Sequence, residues 1–237
     1  MTVFIADASE CSVFENDRLL PCYEDRLSKE LTERIYAKKQ PTARSERAVT
    51  YLLLLKALNS AVSEKNAREE LFAGLYFDKN GRPTFENNEY DLSLSHSDGI
   101  CVAIVSDDKK RIGIDIEEVS EKKAATAAAV LSRISYDMKP DTDGIPVCRA
   151  VRFGEKGSEF YDVNLKKPEA MNEMLISGWT ALESALKCHG GGFSALSDQY
   201  KVFKGISQKS FAFQKNGKIF TVGITVTDFN PFIHKKI

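Results

Sequence analysis

The sequence predicts an α+β protein in which two halves repeat one plan, and three observations lead to that class. Each half reads as a strand, then helices, then an antiparallel set of strands. The stretches Ile100–Val105 and Phe220–Val226 both alternate small and branched apolar residues, a faint internal repeat. Near the end, Asn216-Gly217 between two apolar runs is a strong short-range hairpin signal.

The elements follow in order. Residues 2–8 read as a first strand rather than a signal peptide, because a basic start and a long apolar region are both lacking. Helical periodicity predicts helices over 24–38 and 43–63, and alternation predicts strands over 73–77, 91–95 and 100–106. The polar run Asp107-Asp108-Lys109-Lys110-Arg111 marks the boundary between an N-terminal lobe, 1–108, and a C-terminal lobe, 109–237. A strand over 112–117 and a helix over 121–134 follow. Met171, Leu175, Leu182 and Leu186 recur at helical spacing, which predicts a helix over 168–188, with Pro168 in its first turn and Gly190-Gly191-Gly192 ending it. Strands over 199–204, 210–215 and 218–227 close the chain. Between the lobe's first and second helices, Pro140–Pro146 is a loop signal. Beyond it 147–153 and 158–165 read as an inserted hairpin within 135–167, turning at Gly154–Gly157.

Composition narrows the function classes. A formal net charge of −1 over 237 residues argues against nucleic acid or an anionic membrane as the main partner. The longest apolar run, Leu52–Leu55, is far too short to span a bilayer. Cys11, Cys22, Cys101, Cys148 and Cys188 contain no C-x-x-C and are odd in number, which reads as reduced thiols in a cytoplasmic protein. The histidines are scattered, with no zinc spacing.

Chemistry concentrates in short motifs. Gly81-Arg82-Pro83 is a turn. Leu92-Ser93-Leu94-Ser95-His96-Ser97 is a strand that ends in hydroxyl, imidazole and hydroxyl donors suited to phosphate oxygens. In Gly113-Ile114-Asp115-Ile116-Glu117 the carboxylates are two apart, so both project from one face of a strand and call for a cation. Hard oxygen ligands of this kind suit Mg²⁺. Trp179, Glu183 and Lys187 share one helix face. Arg44, Arg47, Lys38 and Lys39 put basic charge before the apolar run Val49–Leu55, where the helix dipole disfavours it unless an anion binds.

In this order the motifs resemble the surfactin-type 4′-phosphopantetheinyl transferases, whose pattern runs G-K-P, S-x-S-H-S, G-I-D-I-E and W-x-x-K-E-x-x-x-K. The likeness covers 43–117 and 176–205. It implies a monomer of two pseudo-twofold-related α+β lobes, each an antiparallel sheet packed with helices. It also implies Mg²⁺-dependent transfer of the phosphopantetheine arm of coenzyme A to a serine of an acyl or peptidyl carrier protein. By that resemblance Arg47, Ser95 and His96 hold the 3′-phosphate, with Arg82 and Pro83 in the coenzyme-binding turn. Asp115, Glu117 and Glu183 hold the metal, and Lys187 reaches a phosphate. Glu183, or a metal-bound water, takes the serine proton. Two positions depart: Leu182 stands where the family has a lysine that approaches the pyrophosphate, and Arg82 replaces the lysine of G-K-P. Two alternatives stand beside this reading: a weakly active or non-catalytic coenzyme A or carrier-protein binder, for which Leu182 is the motive, and another Mg²⁺-dependent transferase using the same carboxylates on a different diphosphate.

Overall fold

The computed structural model describes residues 2–62, 74–85, 90–106, 110–134 and 146–227, the side chains of Tyr200 and Lys201 excepted. The protein is mixed α+β. Its strands and helices run β1 (Thr2–Asp7), β2 (Phe14–Glu15), β3 (Arg18–Leu19), α1 (Pro21–Glu24), α2 (Lys29–Tyr36), α3 (Pro41–Ala61), β4 (Leu75–Phe77), β5 (Pro83–Phe85), β6 (Asp91–Ser97) and β7 (Ile100–Ser106). Then come β8 (Arg111–Glu118), α4 (Glu121–Leu131), β9 (Val147–Gly154), β10 (Gly157–Tyr161), β11 (Leu165–Lys166), α5 (Met171–His189), α6 (Gln199–Phe203), β12 (Ile206–Lys215) and β13 (Lys218–Thr227).

Two sheets carry the architecture. The first has the order β10-β9-β1-β7-β6 and the second β11-β12-β13-β8. Alternation decides their stacking. On β1 and β7, Val3, Ile5, Ile100, Val102 and Ile104 face Ile112, Ile114, Ile116, Phe211, Phe213, Phe220, Val222 and Ile224 of the second sheet. The intervening Phe4, Ala6, Cys101, Ala103 and Val105 face the other way, into the core with α3. A strand buried on both faces must be apolar throughout, which is why 100–105 reads as an unbroken apolar run. Helix α5 covers the outer face of the second sheet, against β8 and β13. The order of layers is therefore helix, sheet, sheet, helix.

Several expectations change. The helix predicted over 24–38 is the shorter α2, which starts at Lys29 because Ser28 caps it by accepting a bond from the Leu31 N–H at 3.3 Å; Glu24 ends the separate α1. The strand predicted over 199–204 is helix α6, with β12 starting only at Ile206; Val202 and Phe203 are buried against Leu182, Ala185 and Leu186. A short apolar run looks alike in either conformation, and the packing decides. Helix α5 begins at Met171, leaving Pro168 outside it. The inserted hairpin forms as β9 and β10, but β9 pairs in parallel with β1, so the first sheet is mixed rather than antiparallel. Residues 107–109 of the boundary run and 140–145 of the loop signal lie outside the described residues. No described helix is long and apolar enough to cross a membrane, and the five cysteines are free thiols.

Candidate functional site

The site lies where one edge of each sheet meets. Strand β6 ends the first sheet and β8 the second, and period-two alternation sends Asp91, Ser93, Ser95 and Ser97 toward β8. Asp91 Oδ2 accepts from the Ile112 N–H at 2.7 Å, and Ser93 Oγ accepts from the Ile114 N–H at 3.0 Å. Ser95 Oγ donates to Asp115 Oδ1 at 2.8 Å, and Ser97 Oγ donates to Glu117 Oε2 at 3.0 Å. Side chains thus supply partners that a ladder would otherwise supply, and the serine alternation of the S-x-S-H-S motif is the seam itself.

Helix α5 brings the other half of the site by lying directly on glycine. A Cβ on Gly113 would stand 1.9 Å from the Ser184 carbonyl oxygen, and one on Gly223 would stand 2.4 Å from the Thr180 carbonyl carbon. Small hydroxyls complete this approach, Ser184 bonding Thr225 at 2.7 Å and Ser177 bonding Ser210 at 2.5 Å. The result places Lys187 Nζ 2.6 Å from Asp115 Oδ1 and 2.8 Å from Ser95 Oγ. Asp115 Oδ2 is buried with no hydrogen-bond partner.

Glu183 lies on the same helix face. Burial, then the charge of Asp115, with a smaller push from Glu117, raises its pKa to about 7 against the pull of Lys187. The sign of the linkage is fixed by that direction. The folded protein holds a proton that the unfolded chain releases in the ordinary carboxylate range, so the contribution to stability is full below that range. It is lost as pH rises through about 7. Glu183→Gln is expected to flatten the stability profile between these limits, by roughly 1–2 kcal/mol after allowance for solvent screening of a partly exposed group. Denaturant unfolding of both proteins across this range checks it; parallel profiles would refute the assignment.

A basic cluster adjoins the seam on the α3 side. His96 Nδ1 is 3.3 Å from Glu46 Oε2, and Glu46 Oε1 accepts from the Gly99 N–H at 2.9 Å. Burial chiefly holds the His96 pKa below its ordinary value; Glu46 opposes this, and the charges of Arg47, Lys187 and Lys38 reinforce it. Cations from two helices and the α2–α3 connection therefore act on one imidazole, an arrangement that favours an anion. If that anion is the 3′-phosphate of coenzyme A, Arg47→Ala or His96→Ala should weaken coenzyme A binding about ten- to a hundredfold, the scale of a charge-assisted contact. Binding of 3′-dephospho-coenzyme A should hardly change, and equal losses for both ligands in calorimetry would refute the role.

At the other end of the seam is a cleft of about 350 Å³, walled by Gly81, Arg82, Pro83, Ser93, Leu94, Glu183, Leu186, Lys187, Gly190–Gly192 and Phe193. Glu183 and Lys187 face it from α5. Arg82 and Pro83 are both buried, and the Arg82 guanidinium bonds Asp91 and the Ile112 carbonyl at 2.6 and 2.9 Å. Leu182 is fully buried, among Ala185, Leu186, Val202 and Phe203.

The structure thus brings together Ser95, Asp115, Glu117, Glu183 and Lys187, places His96 and Arg47 beside Glu46, and sets Arg82 and Pro83 in the cleft wall. It adds residues that the motifs did not single out. Lys123 of α4 donates to Glu117 Oε2 and Asp98 Oδ2, both at 2.7 Å. Burial weakens this ammonium, but its bonds to Asp98 and Glu117 outweigh that and raise its pKa. Glu46 and Asp91 were also missed. Glu46 adjoins Arg47 and could have been weighed with it; no spacing pointed to Lys123.

Asp115, Glu117 and Glu183 are the groups that could hold a cation. Among the described residues no three His, Cys, Asp or Glu side chains already stand as a ligand set; Lys187 and Lys123 hold Asp115 Oδ1 and Glu117 Oε2 instead. The buried, unpartnered Asp115 Oδ2 is a hard oxygen donor of the kind a divalent ion fits. Comparison with models of known protein families found no match, and neither did comparison with characterised proteins.

Proposed function

We propose that this protein is a 4′-phosphopantetheinyl transferase, moving the phosphopantetheine arm of coenzyme A to a carrier-protein serine and releasing adenosine 3′,5′-bisphosphate. One observation carries the reading. Residues from three separate motifs converge, with Lys187 Nζ within 2.8 Å of both Asp115 and Ser95 and with Glu183 one turn before Lys187 on the same helix, facing the same cleft. The helix–sheet–sheet–helix layering also supports the two-lobed architecture that goes with it.

Each residue then has a physical task. Arg47 and His96 bind the 3′-phosphate, the charges around the imidazole being mostly cationic, while Ser95, on the opposite face of β6, bridges Lys187 and Asp115 instead. Asp115, Glu117 and Glu183 would hold Mg²⁺, which when bound neutralises charge on the pyrophosphate. Lys187 offers its ammonium to a phosphate oxygen. Glu183 faces the cleft one helical turn from Lys187, which suits its carboxylate to accept the serine proton as the hydroxyl attacks the β-phosphorus. Positioning and charge compensation are most of what phosphoryl transfer needs.

A second reading, a coenzyme A or carrier-protein binder with little turnover, draws on buried Leu182, which puts no charge where the resembling family has a lysine. Mass spectrometry of a carrier protein after incubation with the enzyme, coenzyme A and Mg²⁺ separates them. A gain of one phosphopantetheine supports transfer. Binding of coenzyme A without gain supports the binder, and neither result leaves a transferase of another diphosphate.

A further inference from the structure

We propose that Arg82 is a positioning residue for Lys187 rather than a ligand of the coenzyme's phosphates. This inference rests on the transferase reading. The Arg82 side chain is 8 % exposed, and its guanidinium makes three bonds to the protein. Nη1 donates to the backbone carbonyl of Lys187, while Nη2 donates to Asp91 Oδ2 at 2.6 Å and to the Ile112 carbonyl at 2.9 Å. Its own N–H donates to Asp78 Oδ1 at 2.9 Å, and Asp91 Oδ2 also accepts the Ile112 N–H at 2.7 Å. One planar group therefore joins the β4–β5 turn, the start of β6, the start of β8 and the last turn of α5.

The last turn of a helix leaves carbonyls without intrahelical partners and carries partial negative charge, so a guanidinium there is favoured on both counts. Asn80 Nδ2 supplies a second anchor, donating to the Gly190 carbonyl at 2.7 Å. The carbonyl that Arg82 grips belongs to the residue whose Nζ reaches Asp115 and Ser95 at 2.6 and 2.8 Å. Holding that backbone fixes the origin from which the flexible side chain extends. An ammonium cannot serve three acceptors in this fork geometry, so lysine at position 82 keeps the charge and loses the clamp.

Arg82→Lys separates the possibilities, assayed well below its own unfolding temperature. The expected result is a fall in kcat of about tenfold or more, the scale of one charge-assisted bond, with KM for coenzyme A within about twofold. Retained kcat with weakened coenzyme A affinity, the loss vanishing for 3′-dephospho-coenzyme A, would make Arg82 a phosphate ligand and overturn the proposal. A lowered melting temperature with wild-type kcat would make it mere glue and overturn it too. One readout needs no turnover: the ¹⁵N ammonium resonance of Lys187, assigned by Lys187→Arg, should broaden or shift in Arg82→Lys. An unchanged resonance defeats the clamp even in a chain that transfers nothing. Loss of the resonance in a chain without transfer would defeat the function and leave the clamp standing.

Discussion

Replacing Asp115 by alanine is expected to cut carrier-protein modification by about a thousandfold or more, the effect of removing a preorganised charge from a buried site. The side chain has two tasks that no neighbour repeats. Its Oδ1 fixes Lys187 and Ser95 together, and its Oδ2 is the buried carboxylate atom without a partner. Without it Lys187 keeps only Ser95, and Glu183 loses the foremost charge that raises its pKa. The fold should survive, since relief of carboxylate repulsion offsets the lost ion pair, so circular dichroism should stay native while product mass shifts vanish. Residual transfer near wild type, or transfer undiminished by excess chelator, would remove Asp115 from the mechanism.

Gly113→Ala is expected to have the largest effect on stability, although it adds one methyl group. That carbon would stand 1.9 Å from the Ser184 carbonyl oxygen and 2.7 Å from the Cys188 nitrogen, both backbone atoms that no rotamer change can move. Helix α5 must lift from β8 or tilt. Overpacking of this kind costs about 1–3 kcal/mol and sometimes more, which for a domain of this size lowers the melting temperature by roughly 2–12 °C. Because Glu183 and Lys187 sit on the displaced helix, transfer should fall along with stability, even at temperatures where the variant is folded. A melting temperature unchanged within error would show that the contact yields more easily than its geometry implies.

These two residues mark what was legible in the sequence. Asp115 was readable: a two-residue period on a strand puts Asp115 and Glu117 on one face and Ile114 and Ile116 in the core, and they lie so. The partnership of Glu183 with Lys187 followed from helical spacing in the same way. Gly113 was read as part of a motif, but its reason, an approaching helix backbone, is a tertiary contact that leaves no local signature. Lys123 was invisible for a related cause, since its meeting with Glu117 and Asp98 depends on how α4 leaves β8. The strand expected at 199–204 failed because a six-residue stretch with a few apolar positions does not separate helix from strand, and the neighbours Leu182 and Leu186 decided the outcome. Arg82 shows the limit most clearly: its type and place pointed to phosphate, and its bonds point into the protein.

The parallel pairing of β1 with β9 bears on how the molecule is made. Thr2–Ile5 matches Val147–Ala150 residue for residue, so during synthesis β1 waits for a partner some 145 positions later, by the difference of 147 and 2 in that register. Loop closure of that length must precede the contact that rewards it, which places this step among the slow ones. Meanwhile β1 offers one edge to β7 and leaves the other open, an apolar Val-Phe-Ile-Ala edge that invites pairing with other nascent chains. Expression yield and refolding should therefore depend on the hairpin of β9 and β10 as a late-arriving cover, although it contributes no side chain to the chemistry.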